Sequence, residues 1–255
     1  MFLSPEHEIS TGAKPAGVAS EADAAANVQQ MFDSIAGRYD LLNHVLSVGI
    51  DRWWWWRAAR TFRPVLQRPA AVVLDLCCGT GDMTMALYRH RSKTTGDAPI
   101  LAVDFSHNML ARGAKKFAAY NIVPIEADAL HLPLADNSVD LVTSAFGFRN
   151  LANYEAGLEE LFRVLKPGGQ IGILDCNQPG GVIGMLYSMY FKKILPWIGG
   201  MISGERGAYS YLPASVERFP RPTRMKQLIT EAGFKSAMWT GYTFRTAGLY
   251  RGTKP

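Results

Sequence analysis

Cysteine is scarce in this 255-residue chain, and its three residues, Cys77, Cys78 and Cys176, have neither the even count nor the spacing of a disulfide framework. A disulfide-built secreted fold is therefore excluded, and a reducing, cytoplasmic compartment is expected. Cys77 and Cys78 are adjacent rather than a Cys-x-x-Cys pair, and the five histidines show no zinc-ligand spacing, so no metal site is expected. No apolar run follows a basic start, which argues against a secretory signal. The one long apolar stretch, residues 182–202, carries Lys192 and Lys193 at its centre. A central lysine costs roughly 3 kcal/mol in a bilayer, so the stretch is read as a buried helix lining a pocket or as a segment lying in a membrane interface, not as a span.

Acidic groups are also scarce in one region. Residues 182–255 hold 11 basic and 3 acidic side chains, a net of +8, whereas residues 28–181 balance 15 against 15. The basic groups are interleaved with large aliphatics instead of forming an arginine-lysine patch with stacking platforms, which argues against a nucleic-acid partner and for contact with an anionic membrane face. Residues 1–26, rich in Ala, Ser, Gly, Pro and Glu, are expected to be a disordered tail. That leaves residues 27–255 as one domain with an apolar and basic insertion at about 178–222.

What is present is a glycine turn. Leu74-Asp75-Leu76-Cys77-Cys78-Gly79-Thr80-Gly81-Asp82 reads as a short buried strand that stops at Gly-x-Gly and feeds a helix over residues 82–90. Glycines let a ligand lie against the backbone, and the helix turns its free amides and positive dipole end toward the same place. A dinucleotide fingerprint needs a third glycine three residues after the second, and that position is Thr84. Asp75 and Asp82 flank the loop. Two carboxylates repel a pyrophosphate and attract a cation, which favours S-adenosylmethionine.

Residues 100–103 form a second apolar run ending in Asp104, 23 residues past Gly81, the spacing at which a carboxylate takes a ribose diol. Residues 122–127 form a third, ending in Asp128 and Ala129, where a carboxylate can accept from an adenine amino group. Residues 138–146 and 171–174 are the fourth and fifth strands, the latter ending in Asp175; between them Leu158, Leu161, Phe162 and Leu165 mark a helix closed by Lys166-Pro167-Gly168-Gly169. The alternation predicts an α/β fold with a mainly parallel sheet, and residues 236–242 and 249–253 an antiparallel C-terminal edge pair. Upstream, Val28, Met31, Phe32 and Ile35 share one face of a helix that ends near Gly37. The run Trp53-Trp54-Trp55-Trp56 cannot share one helix face. Some of its indoles must be exposed or lie at an interface, and with Arg57 and Arg60 beside them they suit a membrane surface or a partner subunit of a homo-oligomer.

Met31-Phe32-Asp33-Ser34-Ile35-Ala36-Gly37-Arg38-Tyr39-Asp40, Leu42-Asn43, the glycine loop, Phe146-Gly147-Phe148-Arg149-Asn150 and Arg163-Val164-Leu165-Lys166-Pro167-Gly168-Gly169 together resemble the ubiquinone/menaquinone-biosynthesis C-methyltransferase family. The Tyr-Asp-x-x-Asn and Phe-Gly-x-Arg-Asn segments are the particular ones. The resemblance implies a Rossmann-like class I methyltransferase fold with S-adenosylmethionine contacted by Thr80, Asp104, Asp128 and Ala129. It also implies the acceptor, a polyprenylated demethylmenaquinol or a related ubiquinone precursor. A serine that some members place just before the Phe-Gly pair is Ala145 here, with Ser144 on the opposite strand face.

Methyl transfer from a sulfonium depends chiefly on positioning, and a ring carbon becomes nucleophilic when a neighbouring hydroxyl loses its proton. The cofactor residues expected are Asp75, Gly79, Thr80, Gly81, Asp104, Asp128 and Ala129. Arg149 is expected to stabilise the oxyanion or to be a structural ion-pair partner, Asn150 to orient the ring hydroxyl, Asp175 to act as base, and Tyr39, Tyr209 and Tyr211 to position the ring. Tyr39, Asp40 and Asn43 fit either a pocket lid or simple capping. The competing classes are an NAD(P)-dependent oxidoreductase, opposed by Thr84, and a non-catalytic cofactor- or quinone-binding protein, which needs no chemistry from Arg149 or Asn150.

Overall fold

The computed structural model describes residues 12–13, 20–37, 47, 49–92, 98–181, 184–185, 189 and 206–255. Tyr39, the side chain of Tyr209, most of residues 1–19 and nearly all of 182–202 lie outside the described residues.

Helix α1 (Glu21–Ile35) begins seven residues before Val28, so residues 21–26 are helical rather than part of a disordered tail. Ser20 caps it by accepting from the Asp23 amide at 3.1 Å, and Ala24, Ala25 and Ala26 favour helix intrinsically. A composition poor in large apolar side chains concealed both signals.

Seven strands form one sheet in the order β3-β2-β1-β4-β5-β7-β6: β1 (Val73–Leu76), β2 (Ile100–Asp104), β3 (Ile122–Glu126), β4 (Val139–Ala145), β5 (Leu165–Cys176), β6 (Lys235–Tyr242) and β7 (Ala247–Thr253). The first five are parallel, and β7 runs antiparallel to both β5 and β6, giving the expected edge pair. The Lys-Pro-Gly-Gly segment is drawn into β5. The Gly168 amide donates to the Lys254 carbonyl and the Lys254 amide to the Gly169 carbonyl, both at 2.9 Å. Those partners come from the far end of the chain, so the segment alone reads as a turn.

Strand residues alternate between two cores. Val73, Ile100, Leu141, Leu174 and Leu249 face α2 (Asp51–Thr61), α3 (Arg63–Leu66) and α4 (Asp82–His90). Leu74, Val103, Val142, Ile173 and Tyr250 face α6 (Tyr154–Val164) and α8 (Pro222–Glu231), while α5 (His107–Phe117) packs on β2 and β3. Burial on both faces explains why the strands read as unbroken apolar runs. α7 (Arg206–Arg218) packs against a 3₁₀ turn at Phe148–Asn150. Among the described residues no helix is long and apolar enough to cross a membrane.

Candidate active site

The chain runs outward through β1, β2 and β3 and returns to β4 on the other side of β1, so a crevice opens at the C-terminal ends of those two strands. Both ends are left-handed: φ is +53° at Cys77, +55° at Gly79 and +87° at Gly81 after β1, and +60° at Phe146 after β4. A Cβ on Gly81 would lie 2.2 Å from the Phe117 ring and one on Gly147 would lie 2.3 Å from the Cys77 Cβ. Glycine at these two positions lets the loops close over their neighbours. Cys77 and Phe146 are not glycines, and the cost of their conformation, about 1 kcal/mol each, is stored where the two strand ends face each other.

The cleft they frame, about 730 Å³ including its open mouth, is lined by Gly79, Asp104, Asp128 and Ala129 among the expected cofactor residues. Asp104 is buried, its Oδ2 accepting from the Gly79 amide at 2.7 Å and its Oδ1 from the Ser106 amide at 2.9 Å. Burial pushes its pKa up to about 6 against those hydrogen bonds. Asp128, two residues past β3, accepts from the Leu130 amide at 2.9 Å. Val103, Phe105 and Met109 form apolar walls, and α1 closes one side with Ala25 and Phe32. That helix is pinned by Gln29 donating to the Phe105 carbonyl at 2.6 Å and by Ser106 donating to Asp33 at 2.5 Å. The apolar walls carry no motif of their own, and nothing in the sequence beyond their nearness to Asp104 marked them.

Asp75 is placed elsewhere. It is fully buried and accepts from the Thr84 hydroxyl at 2.6 Å and the Thr143 hydroxyl at 2.8 Å, tying β1 to α4 and β4. Burial raises its pKa to about 7. Thr84, in the place of a third glycine, is thus an anchor for this carboxyl group, and Asp75 supports the loop without reaching the cleft. Thr80 is buried, and the Gly81 amide donates to the Cys78 carbonyl at 2.8 Å. Both shape the turn, and neither is among the described residues that line the cleft.

Arg149, expected as oxyanion stabiliser or structural ion-pair partner, and Asp175, expected as base, meet each other, which is the ion-pair alternative for Arg149. Arg149 Nη1 lies 2.9 Å from Asp175 Oδ1, and the Arg149 amide donates to Asp175 Oδ2 at 3.1 Å. The guanidinium also donates to the Phe146 carbonyl, and the Tyr154 hydroxyl to the Arg149 carbonyl at 2.9 Å. Both side chains are buried, and neither is among the described residues lining the cleft. Burial raises the pKa of Asp175, against the pull of Arg149. Asn150 does line the cleft, and its Oδ1 accepts from the Tyr211 hydroxyl at 3.1 Å. The fold therefore joins two expected residues 61 positions apart. Ala145 lines the cleft while Ser144 is buried beside it, the alternation expected of a strand end.

A cleft with two carboxylates, a glycine wall at Gly79 and apolar walls suits a cationic nucleoside and repels a pyrophosphate. It fits S-adenosylmethionine.

Residues 19–254 match the ubiE/COQ5 methyltransferase family. The chain is 44% identical over 228 residues to the demethylmenaquinone methyltransferase of Thermus thermophilus, covering 88% of this chain and 100% of that one. It is 42% identical to the demethylmenaquinone methyltransferase of Deinococcus radiodurans, covering 93% and 96%. It is 40% identical to the ubiquinone/menaquinone biosynthesis C-methyltransferase UbiE of Geotalea daltonii, covering 89% and 96%. Among solved structures, the [4+2]-cyclase SpnF has a TM-score of 0.65 at 17% identity, covering 96% of this chain and 99% of that one. A SAM-dependent methyltransferase from Aquifex aeolicus has a TM-score of 0.57 at 18% identity, covering 78% and 89%. At those identities the likeness establishes the fold.

Proposed function

The chain belongs to the ubiE/COQ5 methyltransferase family, and from that premise we propose that it methylates a ring carbon of a polyprenylated demethylmenaquinol to give menaquinol, with S-adenosylmethionine as methyl donor. The single observation that carries the reading is the cleft in which Asp104 and Asp128 share one wall system with Asn150. Asp104 is suited to the ribose hydroxyls, since a carboxylate has about four accepting positions and its backbone partners do not fill them. Asp128 and the Ala129 backbone are suited to the adenine edge, and Val103, Phe105 and Met109 to its faces. The bound donor supplies an electrophilic methyl carbon on a sulfonium, and the two carboxylates favour that positive charge.

On the acceptor side, Asn150 and Tyr211 present a hydrogen-bonded pair that orients the ring hydroxyl. Burial raises the pKa of Tyr211, which keeps its hydroxyl a donor. Arg149 and Asp175 act one step back, as positioning residues that fix the turn carrying Asn150. The acceptor exchanges a ring C–H for C–CH₃ and releases a proton. Its polyprenyl tail resides in membrane, so the protein makes peripheral contact with an anionic membrane surface, in keeping with the net +8 of residues 182–255.

The test is methyl transfer by the purified protein to chemically reduced, detergent-dispersed demethylmenaquinone. A product one methylene heavier with stoichiometric S-adenosylhomocysteine is expected. Cofactor binding without transfer to this acceptor would overturn the substrate assignment, and transfer to a ubiquinone-type precursor instead would replace it.

A further inference from the structure

Helix α2 divides its four tryptophans between two faces. Trp54 and Trp55 are buried; the Trp54 indole donates to Thr243 Oγ1 at 2.8 Å, and its ring lies 5.7 Å from that of Phe146 in the cleft wall. Trp53, Trp56, Arg57 and Arg60 fall at i, i+3, i+4 and i+7 on the other face. There Trp53 and Trp56 are 42% and 43% exposed. Arg57 stacks on both Trp53 and Tyr242, and Arg60 on Trp56.

Tyr242 leads into a turn, Thr243-Phe244-Arg245, in which three successive non-glycine residues have φ of +41°, +53° and +70°. At its tip Phe244 is 74% exposed. A left-handed conformation costs such residues about 1–2 kcal/mol each, and the burial of Phe244 within the chain does not offset it. The turn sits at the same end of the sheet as the cleft, because Ala247 just beyond it pairs with Cys176 at the C-terminal end of β5, which runs parallel to β4.

Charge selects the partner. Asp51 is buried, so every exposed charge on residues 51–63 is an arginine, and Arg245 adds another from the turn. Two copies meeting through this face would set arginine against arginine. Aromatic rings flanked by arginines suit the headgroup region of a bilayer, where the rings enter the interface and the guanidinium groups meet phosphates. We propose that Trp53, Trp56 and Phe244, with the arginines around them, form the surface by which this chain docks on an anionic lipid bilayer, turning the cleft edge toward it. The purpose of such docking rests on the lipophilic acceptor proposed above, whereas the binding itself is measurable without it.

The experiment is flotation with vesicles of phosphatidylcholine alone and of phosphatidylcholine with phosphatidylglycerol. The wild-type chain binds the anionic vesicles, and added salt weakens that binding. Trp53→Ser combined with Phe244→Ser, and separately Arg57→Glu combined with Arg60→Glu, each lower the partition by about tenfold or more. Both variants keep wild-type affinity for S-adenosylhomocysteine and wild-type transfer to detergent-dispersed quinol. No binding by the wild type, or binding unchanged in both variants, overturns the proposal. So does a wild-type dimer that the variants convert to monomer in light scattering, which would give the face to a second copy. Failure of the wild type to methylate detergent-dispersed quinol would instead remove the acceptor assignment and leave the vesicle result standing.

Discussion

Asp175 accepts from Arg149 twice, from the guanidinium at 2.9 Å and from the backbone amide at 3.1 Å, so the two form one buried unit anchoring the turn that carries Asn150. Removing one partner leaves the other charge buried and uncompensated. Arg149→Ala is expected to lose about 3 kcal/mol of stability, whereas Arg149→Met combined with Asp175→Asn recovers most of it. Urea denaturation checks this. A full-stability Arg149→Ala variant without turnover would return the guanidinium to direct chemistry.

The proposed acceptor side rests on Asn150 and its hydrogen-bond partner Tyr211. Asn150→Ala is expected to lower kcat about 100-fold with the cofactor Kd little changed, and Tyr211→Phe to lower it less, by about tenfold. Steady-state kinetics beside calorimetric titration with S-adenosylhomocysteine separates the two effects. A variant that loses cofactor affinity and keeps kcat would move Asn150 to the donor side.

The proposed ribose contact at Asp104 predicts a pH limit on cofactor binding. Charge-assisted bonds from the ribose need the carboxylate, and burial pushes this group up to about 6. Affinity for S-adenosylhomocysteine therefore holds above that pH and falls as pH drops through it, by about tenfold per unit. Calorimetry from pH 5 to pH 8 reads the slope, and Asp104→Asn should bind weakly with little slope.

Asp75 makes the opposite kind of contribution, to stability. Its pKa is raised from 3.8 to about 7 in the folded chain, which therefore holds a proton that the unfolded chain has lost between those values. Stability falls as pH rises through that window. Asp75→Asn removes the slope, so its Tm relative to wild type should be higher at pH 8 than at pH 5. A pH-independent difference would contradict the burial of an ionisable group there.

What the sequence made legible was what strand ends spell locally. Asp104 ends β2, Asp128 lies two residues past β3 and Asn150 five past β4, so the parallel strands bring them to one cleft. What was hidden depended on distant partners. Asp75 looked like a loop carboxylate because Thr84 and Thr143, 9 and 68 positions away, hold it only in the folded sheet. Arg149 and Asp175 are 26 positions apart; the sequence leaves Arg149 between oxyanion stabiliser and ion-pair partner and does not name the partner, which the β4–β5 pairing supplies as Asp175. The same cause hid the β5 extension, whose partner is Lys254.

The central claim, transfer to carbon, is tested most directly by giving the purified protein S-adenosylmethionine with an isotope-labelled methyl group and reduced demethylmenaquinone, then locating the label in the product by nuclear magnetic resonance. A labelled methyl group on the quinol ring carbon is the predicted result. A label on a ring oxygen, or none while S-adenosylhomocysteine binds normally, would contradict it.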